Sequence, residues 1–164
     1  MKKIILLLFI VFVSCNSKKP TQFSEEANME MLLGLDDSKI TLREVIYEHK
    51  GKKILIDVWA SWCKDCIVGF PKVKELQKEF PDVVFLFLSV DRSSPSWKRA
   101  IEKYNLIGEH YNLPEGMDDG AFVNFINLSW IARYMVIDEA GEISLFKATD
   151  ASDEKIKKAL KADI

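Results

Sequence analysis

The sequence predicts an α/β domain in which helices flank a central mixed β-sheet, and three observations support this fold class. Two apolar runs rich in strand-forming residues, about 53–59 and 83–91, are typical of buried central strands. The segment between them has helical spacing of apolar residues, and two strands joined by a helix form a parallel, right-handed unit. Near the carboxyl end, EAGE separates the strand-like runs RYMVID and ISLFKA, which predicts an antiparallel pair.

The first half of the domain is predicted from its turn and helix signals. An amino-terminal extension precedes the first buried strand and is expected to add a hairpin from 31 to 46. The helix that follows Cys63 is predicted to stop at Pro81. Pro71 lies inside this helix and is expected to kink it.

The second half contains shorter elements. A helix is predicted over 95–104, because Ser94 and Pro95 open the segment, and the stretch 105–120 is rich in loop-forming residues. A short helix is expected over 121–127, and Ser152 is predicted to cap a last helix. The predicted core order is therefore β-α-β-α-β-β-α.

The first fifteen residues have the features of an export signal. Lys2 and Lys3 precede an unbroken apolar run over 4–13, which has the length of a signal-peptide h-region and is shorter than the ~20 residues that span a bilayer. The sequence FVSC, which ends at Cys15, resembles the lipobox of bacterial lipoproteins, in which the cysteine is lipidated. Phe12 departs from the usual leucine of that motif. An uncleaved membrane anchor is the alternative, and both interpretations place the domain outside the cytoplasm.

These features divide the chain of 164 residues into three parts. Residues 1–15 are predicted to be a lipoprotein-type signal peptide with its lipidation cysteine. Residues 16–38 form a polar tether or amino-terminal extension, and residues 39–164 form the domain. The net charge of −2 comes without a basic stripe, which argues against a nucleic acid partner.

The chain contains three cysteines. If Cys15 carries lipid, Cys63 and Cys66 can pair only with each other or with a partner's thiol. A CxxC at a strand–helix junction places both sulfurs on one side of the first helical turn, close enough to bond. The amino terminus of the helix also stabilises a thiolate, which is the attacking species. Cys63 is therefore expected to be the exposed nucleophile and Cys66 the inward-facing resolving thiol.

Asp57 stands six residues before Cys63, inside the first apolar strand. Burial disfavours an ionised carboxylate, so the pKa of Asp57 is expected to rise. A carboxyl group of this kind can exchange protons near neutral pH, and Asp57 is predicted to accept the proton of Cys66 when that thiol attacks. The alternative is a hydrogen-bonded core aspartate without a chemical role.

The segment ILIDVWASWCKDC resembles the active-site strand and helix start of the thioredoxin superfamily. The amino-terminal extension, the sequence WASWC and the lipoprotein-type leader make the chain most similar to the TlpA/ResA-like branch of extracytoplasmic thiol-disulfide oxidoreductases. The resemblance covers roughly residues 40–162. It implies a thioredoxin-like fold, a protein dithiol or disulfide substrate, an upstream thiol electron donor and no cofactor. The positions that match the family are Asp57, Trp59, Trp62, Cys63, Cys66 and Pro71.

Two departures from the family pattern lie next to the cysteines. Lys64 and Asp65 stand where Gly-Pro or Glu-Pro is common. Their opposite charges act in opposite directions on the pKa of Cys63, so the net direction stays open. Gly69 occupies a position at which members of this branch often carry a glutamate, so an additional acid-base group is not expected there.

The largest departure is Ala132, which stands where thioredoxin-like folds carry a cis-proline opposite the CxxC. A cis peptide bond costs roughly 2.5–4 kcal/mol before alanine and roughly 0.5–1 kcal/mol before proline. The Ile131–Ala132 bond is therefore predicted to be trans, with a locally reshaped loop. The substrate groove implied by the resemblance comprises Trp62, Lys64, Asp65, Ile131, Ala132 and Arg133.

Disulfide reduction is favoured over oxidation, because it is the usual activity of the family that the chain resembles and because Asp57 is present. One alternative is a metal-binding module of the copper-chaperone type, since two thiolates suit Cu(I) and His110 lies in a predicted loop that could approach them. The other alternative is a redox-inert binding protein that keeps the fold. No metal site is expected in the favoured interpretation.

Overall fold

The computed structural model describes residues 19–162, so the predicted signal peptide and the predicted lipidation of Cys15 lie outside the described residues. The strands are β1 (Met31–Leu33), β2 (Lys39–Thr41), β3 (Ile54–Trp59), β4 (Val84–Ser89), β5 (Glu109–Asn112), β6 (Arg133–Ile137) and β7 (Ile143–Ala148). The helices are α1 (Glu25–Asn28), α2 (Leu42–Glu48), α3 (Lys64–Glu79), α4 (Ser94–Tyr104), α5 (Ala121–Phe125) and α6 (Glu154–Lys161). No helix within residues 19–162 combines the length and the hydropathy needed to cross a bilayer.

The strands form one mixed sheet with the order β2-β1-β5-β4-β3-β6-β7. Strands β3, β4 and β5 are parallel, whereas β6 is antiparallel to β3 and to β7. This arrangement confirms the predicted α/β class with a mixed sheet. All six residues of β3 are buried, which is why its sequence is apolar on both faces.

The two faces of β3 can be assigned from its contacts. Trp59 packs edge to face on Phe70 of α3, with ring centroids 5.4 Å apart. Because alternate residues of a strand share a face, Asp57 lies on this same side of the sheet, beneath α3. Tyr134 of β6 stands directly opposite Asp57 in the antiparallel ladder and therefore faces α3 as well.

The region from 105 to 120 contains a strand that the loop-rich sequence did not indicate. Strand β5 consists of EHYN and pairs in parallel with β4. A run of four residues in which Glu109, His110 and Asn112 are polar lacks the apolar pattern of a buried strand, and its pairing with β4 decides its conformation. Helix α5 lies within the predicted range 121–127.

The predicted cap of the last helix was displaced by one residue. Asp153 is the N-cap of α6, and its Oδ1 atom accepts a hydrogen bond from the Lys155 amide at 2.9 Å. Ser152 instead donates its amide and hydroxyl to Asp150 Oδ1, at 2.8 and 2.7 Å. Ser152 is therefore part of a turn formed by Asp150 and does not cap the helix.

The amino-terminal extension is packed onto the domain. The hairpin of β1 and β2 is shorter than the predicted range 31–46, because Thr41 and Glu44 form a capping box that starts α2. Within the segment 16–38, Ala27 and Leu32 are fully buried. A further attachment lies nearer the amino terminus, where the Ile143 amide donates a hydrogen bond to the Thr21 carbonyl oxygen at 2.6 Å.

Candidate active site

Cys63 and Cys66 lie where β3 gives way to α3 and are joined by a disulfide, with their Cα atoms 5.3 Å apart. Cys63 is the N-cap of α3, and its Sγ atom accepts a hydrogen bond from the Cys66 amide at 3.1 Å. The amide and the partial positive charge of the helix end both stabilise a thiolate at Cys63. Cys63 is 6% exposed and Cys66 is fully buried, so an incoming sulfur can reach only Cys63 without rearrangement.

Asp91 holds the loop that carries the cysteines, and the sequence reasoning missed it. Its buried carboxylate accepts hydrogen bonds from the Ser61 amide at 2.8 Å, the Ser61 hydroxyl at 2.6 Å and the Ser89 hydroxyl at 2.8 Å. The loops that follow β3 and β4 are thereby tied together. The signal was available, because the carboxyl ends of neighbouring parallel strands meet at one edge of a sheet and an aspartate follows the second strand.

Asp57 is buried beneath α3, with 2% of its surface exposed. Neither of its carboxylate oxygens has a hydrogen-bond partner among residues 19–162. Burial raises the pKa of Asp57 from 3.8 to about 8. The direction agrees with the expectation from the sequence, and the missing hydrogen bonds disfavour the alternative of a hydrogen-bonded core aspartate.

Tyr134 is a second buried titratable group at this site, and only the strand register reveals it. Burial, and then the negative charge of Asp57, raise the pKa of Tyr134. A Cβ atom added to Gly69 of α3 would lie 3.0 Å from the Tyr134 hydroxyl. Gly69, which the sequence marked only as an absent glutamate, therefore makes room for the tip of Tyr134, one helical turn after Cys66.

This contact predicts that Gly69→Ala stabilises the protein only when the tyrosine hydroxyl is absent. Alanine is favoured over glycine inside a helix by about 1 kcal/mol. In the wild type the new methyl group would crowd the hydroxyl of a tyrosine that is 1% exposed and has little room to move. Urea unfolding at pH 7 of the wild type, Gly69→Ala, Tyr134→Phe and the double variant should show a coupling of about 1 kcal/mol. Additive effects of the two substitutions would contradict the contact.

The Ile131–Ala132 peptide bond is cis, so the prediction of a trans bond was wrong. That prediction weighed only the local preference of a bond before alanine. Both residues are buried, at 5% and 2% exposure, and their conformation is set by the packing around them. The Ile131 carbonyl oxygen lies 3.6 Å from Cys63 Sγ, so the loop faces the CxxC as the resemblance implied.

Five of the six residues predicted to form the groove lie around Cys63, and they differ in exposure. Trp62, Lys64 and Asp65 are exposed around Cys63, whereas Ile131 and Ala132 are buried and offer chiefly their backbone.

Arg133 does not belong to the groove, which corrects the prediction. Its side chain is fully buried, and one guanidinium nitrogen donates to the Ile126 carbonyl oxygen at 2.8 Å. Side chains alternate along β6, so Arg133 lies on the face of the sheet opposite Tyr134 and α3. Burial lowers the pKa of Arg133.

The residues predicted to have structural roles lie close to the cysteines. Trp59 is fully buried against Phe70, and Pro71 lies inside the continuous helix α3. Because proline has no amide hydrogen, it leaves the carbonyl group of Ile67 without its usual helical donor.

Trp130 was missed, although it lies two residues before Ala132 in the loop that faces the cysteines. Its side chain is 59% exposed. The sequence offered only a weak signal, because an aromatic residue after NLS reads equally well as a core residue.

The metal-binding alternative depended on a third ligand near the two thiolates. His110 lies in β5, where its ring stacks on Phe87 with centroids 5.0 Å apart and its Nε2 atom lies 3.1 Å from the Leu106 carbonyl oxygen. In the part of the chain that the structure describes, no three His, Cys, Asp or Glu side chains are grouped to hold a metal ion. The imidazole is thus engaged elsewhere in the core.

The fold agrees with comparisons to known proteins. The chain is 28% identical over 148 residues to the thioredoxin-like protein YneN of Bacillus subtilis, which covers 85% of this chain and 84% of that protein. It is 24% identical over 129 residues to the thiol-disulfide oxidoreductase ResA of Bacillus cereus, which covers 77% and 69%. The thioredoxin domain of a Bacteroides vulgatus thiol-disulfide oxidoreductase has a similar fold, with a TM-score of 0.70, 19% identity and coverage of 88% of this chain and all of that one.

A thioredoxin-like fold with a Cys63–Cys66 disulfide at the start of a helix defines a thiol-disulfide oxidoreductase of the TlpA/ResA-like kind. The family model described as Thioredoxin-like matches residues 51–143, and the chain belongs to this family.

Proposed function

We propose that this chain is a membrane-anchored, extracytoplasmic protein disulfide reductase. One observation carries the proposal: the cysteine that caps α3 is the more accessible of the pair and receives an amide hydrogen bond, while an unpartnered carboxyl group is buried beneath it. The first feature supplies a nucleophilic thiolate and the second a group that can exchange a proton with the resolving thiol. The thiolate serves the first of two successive thiol-disulfide exchanges, and the carboxyl group serves the second.

The reaction proceeds in two exchanges that conserve atoms and electrons. The Cys63 thiolate attacks one sulfur of the substrate disulfide, which forms a mixed disulfide and releases the other substrate sulfur as a thiolate. Cys66 then loses its proton to the Asp57 carboxylate and attacks the Sγ atom of Cys63. The second substrate sulfur leaves as a thiolate, which can take up the proton held by Asp57, and the Cys63–Cys66 disulfide remains. Two electrons have passed to the substrate, and an upstream dithiol must return them.

The proposed location rests on the leader. The basic residues before the apolar run and the cysteine of FVSC support export and lipidation at Cys15. ResA, one of the relatives, is named as a thiol-disulfide oxidoreductase, which supports a protein dithiol or disulfide as the substrate. Metabolic labelling with an alkyne-bearing fatty acid in cells that express the full chain tests the anchor: the wild type should incorporate the label and Cys15→Ser should not. Absence of label from the wild type would refute lipidation at Cys15.

The direction of electron flow is tested by the reduction potential of the Cys63–Cys66 couple. Equilibration in dithiothreitol buffers, followed by alkylation and intact-mass measurement, gives the fraction reduced at each potential. A value near roughly −270 mV supports a reductase, and a value near roughly −120 mV would show an oxidant instead. Reduction of insulin by the fully reduced protein provides the accompanying measurement of activity.

A further inference from the structure

Asp57 must be ionised before it can accept the proton of Cys66, and its surroundings offer little to stabilise the negative charge. Burial alone raises its pKa, and no cation among residues 19–162 acts on it. Neither carboxylate oxygen has a hydrogen-bond partner in the disulfide form. An enclosed carboxylate without a donor is unfavourable, so ionisation of Asp57 requires a hydrogen-bond donor nearby.

The strand register identifies the nearest candidate for this donor. Phe87 of β4 and Tyr134 of β6 stand opposite Asp57, one on each side. Residues directly opposite in an antiparallel pair share a face of the sheet, with Cβ atoms about 4.5–5.5 Å apart. Phenylalanine has no polar atom, so Tyr134 supplies the one hydroxyl in this row of three side chains.

The Tyr134 hydroxyl lies beneath α3, at the position of Gly69. A Cβ atom at residue 69 would be 3.0 Å from this oxygen and 3.8 Å from the Cβ atom of Ala151, so the oxygen lies close to where α3 meets the turn after β7. Tyr134 is 1% exposed, which keeps its ring on the same side of the sheet as the Asp57 carboxyl group. Because Gly69 comes one helical turn after Cys66, the phenol and the resolving sulfur lie under neighbouring turns of α3.

The phenol keeps its proton and can therefore act as a donor. Burial raises the pKa of Tyr134, and the negative charges of Asp57 and then Asp150 raise it further, so the phenol and the Asp57 carboxyl group are close enough to interact electrostatically. His110 of β5 is separated from Asp57 by the ring of Phe87, on which it stacks, and burial lowers the pKa of this histidine. Tyr134 is thus the neutral donor that is available when Asp57 ionises.

We propose that Tyr134 is a positioning residue for the resolving exchange: its hydroxyl donates a hydrogen bond to the ionised Asp57 and so keeps this carboxylate available to accept the proton of Cys66. The inference rests on the proposed function and adds a residue to its second step. Tyr134 itself loses no proton. The Cys66 proton passes to Asp57, the Cys66 sulfur bonds to Cys63, and the departing substrate sulfur takes the electron pair of the broken bond. The hydrogen bond forms in the charged state, as catalytic hydrogen bonds often do.

The first measurement is the carboxyl titration of Asp57 in the oxidised protein, followed by carbon NMR after isotopic labelling of the aspartates, with Asp57→Asn to assign the signal. Tyr134→Phe keeps the ring and removes the hydroxyl, which leaves the charged form without its donor. The midpoint should rise by about one pH unit, as expected for the loss of a hydrogen bond to a charged group. Tyr104→Phe is the matched control, because it removes a hydroxyl from a ring that packs on Phe70 of α3, with centroids 5.5 Å apart. This control should leave the midpoint unchanged.

The second measurement isolates the resolving exchange. In a Cys15→Ser background, the reduced protein is joined at Cys63 to a coloured nitrothiobenzoate group at pH 4, and a jump to higher pH lets Cys66 release this group. A midpoint one unit higher leaves about tenfold less ionised Asp57 at pH 7. Tyr134→Phe should therefore release the group about tenfold more slowly than the Tyr134 parent at pH 7 and at the same rate at pH 10. Formation of the mixed disulfide should be unchanged.

An unmoved midpoint in Tyr134→Phe would overturn the proposal, as would a raised midpoint that leaves the release rate at pH 7 unchanged. Equal slowing at pH 7 and pH 10 would assign the hydroxyl to the packing of the site and would also overturn it. Absence of release from the Tyr134 parent at every pH would instead contradict the proposed function, and the titration of Asp57 would still decide whether the hydrogen bond forms.

Discussion

Cys63→Ser is expected to abolish reduction of protein disulfides, whereas Cys66→Ser should stop the reaction after its first exchange. Cys63 is the sulfur at the helix N-cap, and no other group at the site can replace it as nucleophile. The loss should be at least about a thousandfold, as expected when a covalent nucleophile is removed. In Cys66→Ser the first attack remains possible, but the buried resolving thiol is absent, so a mixed disulfide should accumulate.

Insulin reduction measures the loss of turnover, and intact mass under non-reducing conditions measures the adduct. The experiment is best done in a Cys15→Ser background, because the third cysteine could otherwise resolve or form adducts. The Cys66→Ser adduct should disappear on addition of dithiothreitol and should be absent in the Cys63→Ser, Cys66→Ser double variant. An adduct of similar yield in Cys63→Ser would show that the assignment of the two thiols is reversed.

Asp57→Asn is expected to make the oxidised protein more stable at pH 9 by several kcal/mol and to leave its stability nearly unchanged at pH 4. Burial raises the pKa of Asp57 from 3.8 to about 8, so the folded protein retains a proton that the unfolded chain releases in this window. The wild type therefore loses about 1.4 kcal/mol of stability for each pH unit between these values as the pH rises. Asparagine has no proton to lose, and the variant escapes this loss.

Urea unfolding of the oxidised proteins at pH 4, 6.5 and 9 tests this dependence. Asp91→Asn is the matched control, because Asp91 is equally buried but accepts three hydrogen bonds from Ser61 and Ser89. This control should be destabilised, since the asparagine amide cannot accept all three bonds. A difference between Asp57→Asn and wild type that does not grow with pH would refute the raised pKa.

The same substitution should slow catalysis while it stabilises the fold. Without a carboxylate to accept the proton of Cys66, the second exchange is expected to slow by about a hundredfold at pH 7. Attack by Cys63, measured as the rate of mixed-disulfide formation in a Cys66→Ser background, should change far less. Stability gained and resolution lost in one variant would identify Asp57 as a group retained for chemistry.

The central part of the fold was predictable because its signals are local. Strands β3 and β4 are continuous apolar runs, and α3 and α4 are bounded by cysteine, serine and proline residues whose conformational preferences are strong. Strand β5 was not predictable in this way, because EHYN gains its extended conformation from pairing with β4. The cis bond at Ala132 was missed for a related reason, since the local preference of the chain is overruled by its buried surroundings.

The residues of the site also differ in whether the local sequence indicates them. The sequence indicated Cys63, Cys66 and Asp57, because each is a reactive or charged residue in an unusual sequence position. Tyr134 and Trp130 did not, because the importance of the first depends on its register opposite Asp57 and that of the second on its exposure beside Cys63. Register and exposure are properties of the assembled sheet and loops, and no run of neighbouring residues contains them.

The hydrogen bond that fastens Thr21 to Ile143 would limit how far a lipid-anchored form of the enzyme can work from a membrane. If Cys15 is lipidated, only five residues separate it from Thr21, and the six steps between these two residues span at most about 22 Å. Ile143 pairs with Ile137, which in turn pairs with Ile54 at the start of β3, whereas the cysteines follow the far end of that strand, roughly 20 Å away. The reactive pole would point away from the lipid surface and operate within about 40 Å of it, so the enzyme would serve substrates in the layer of the envelope next to its own membrane.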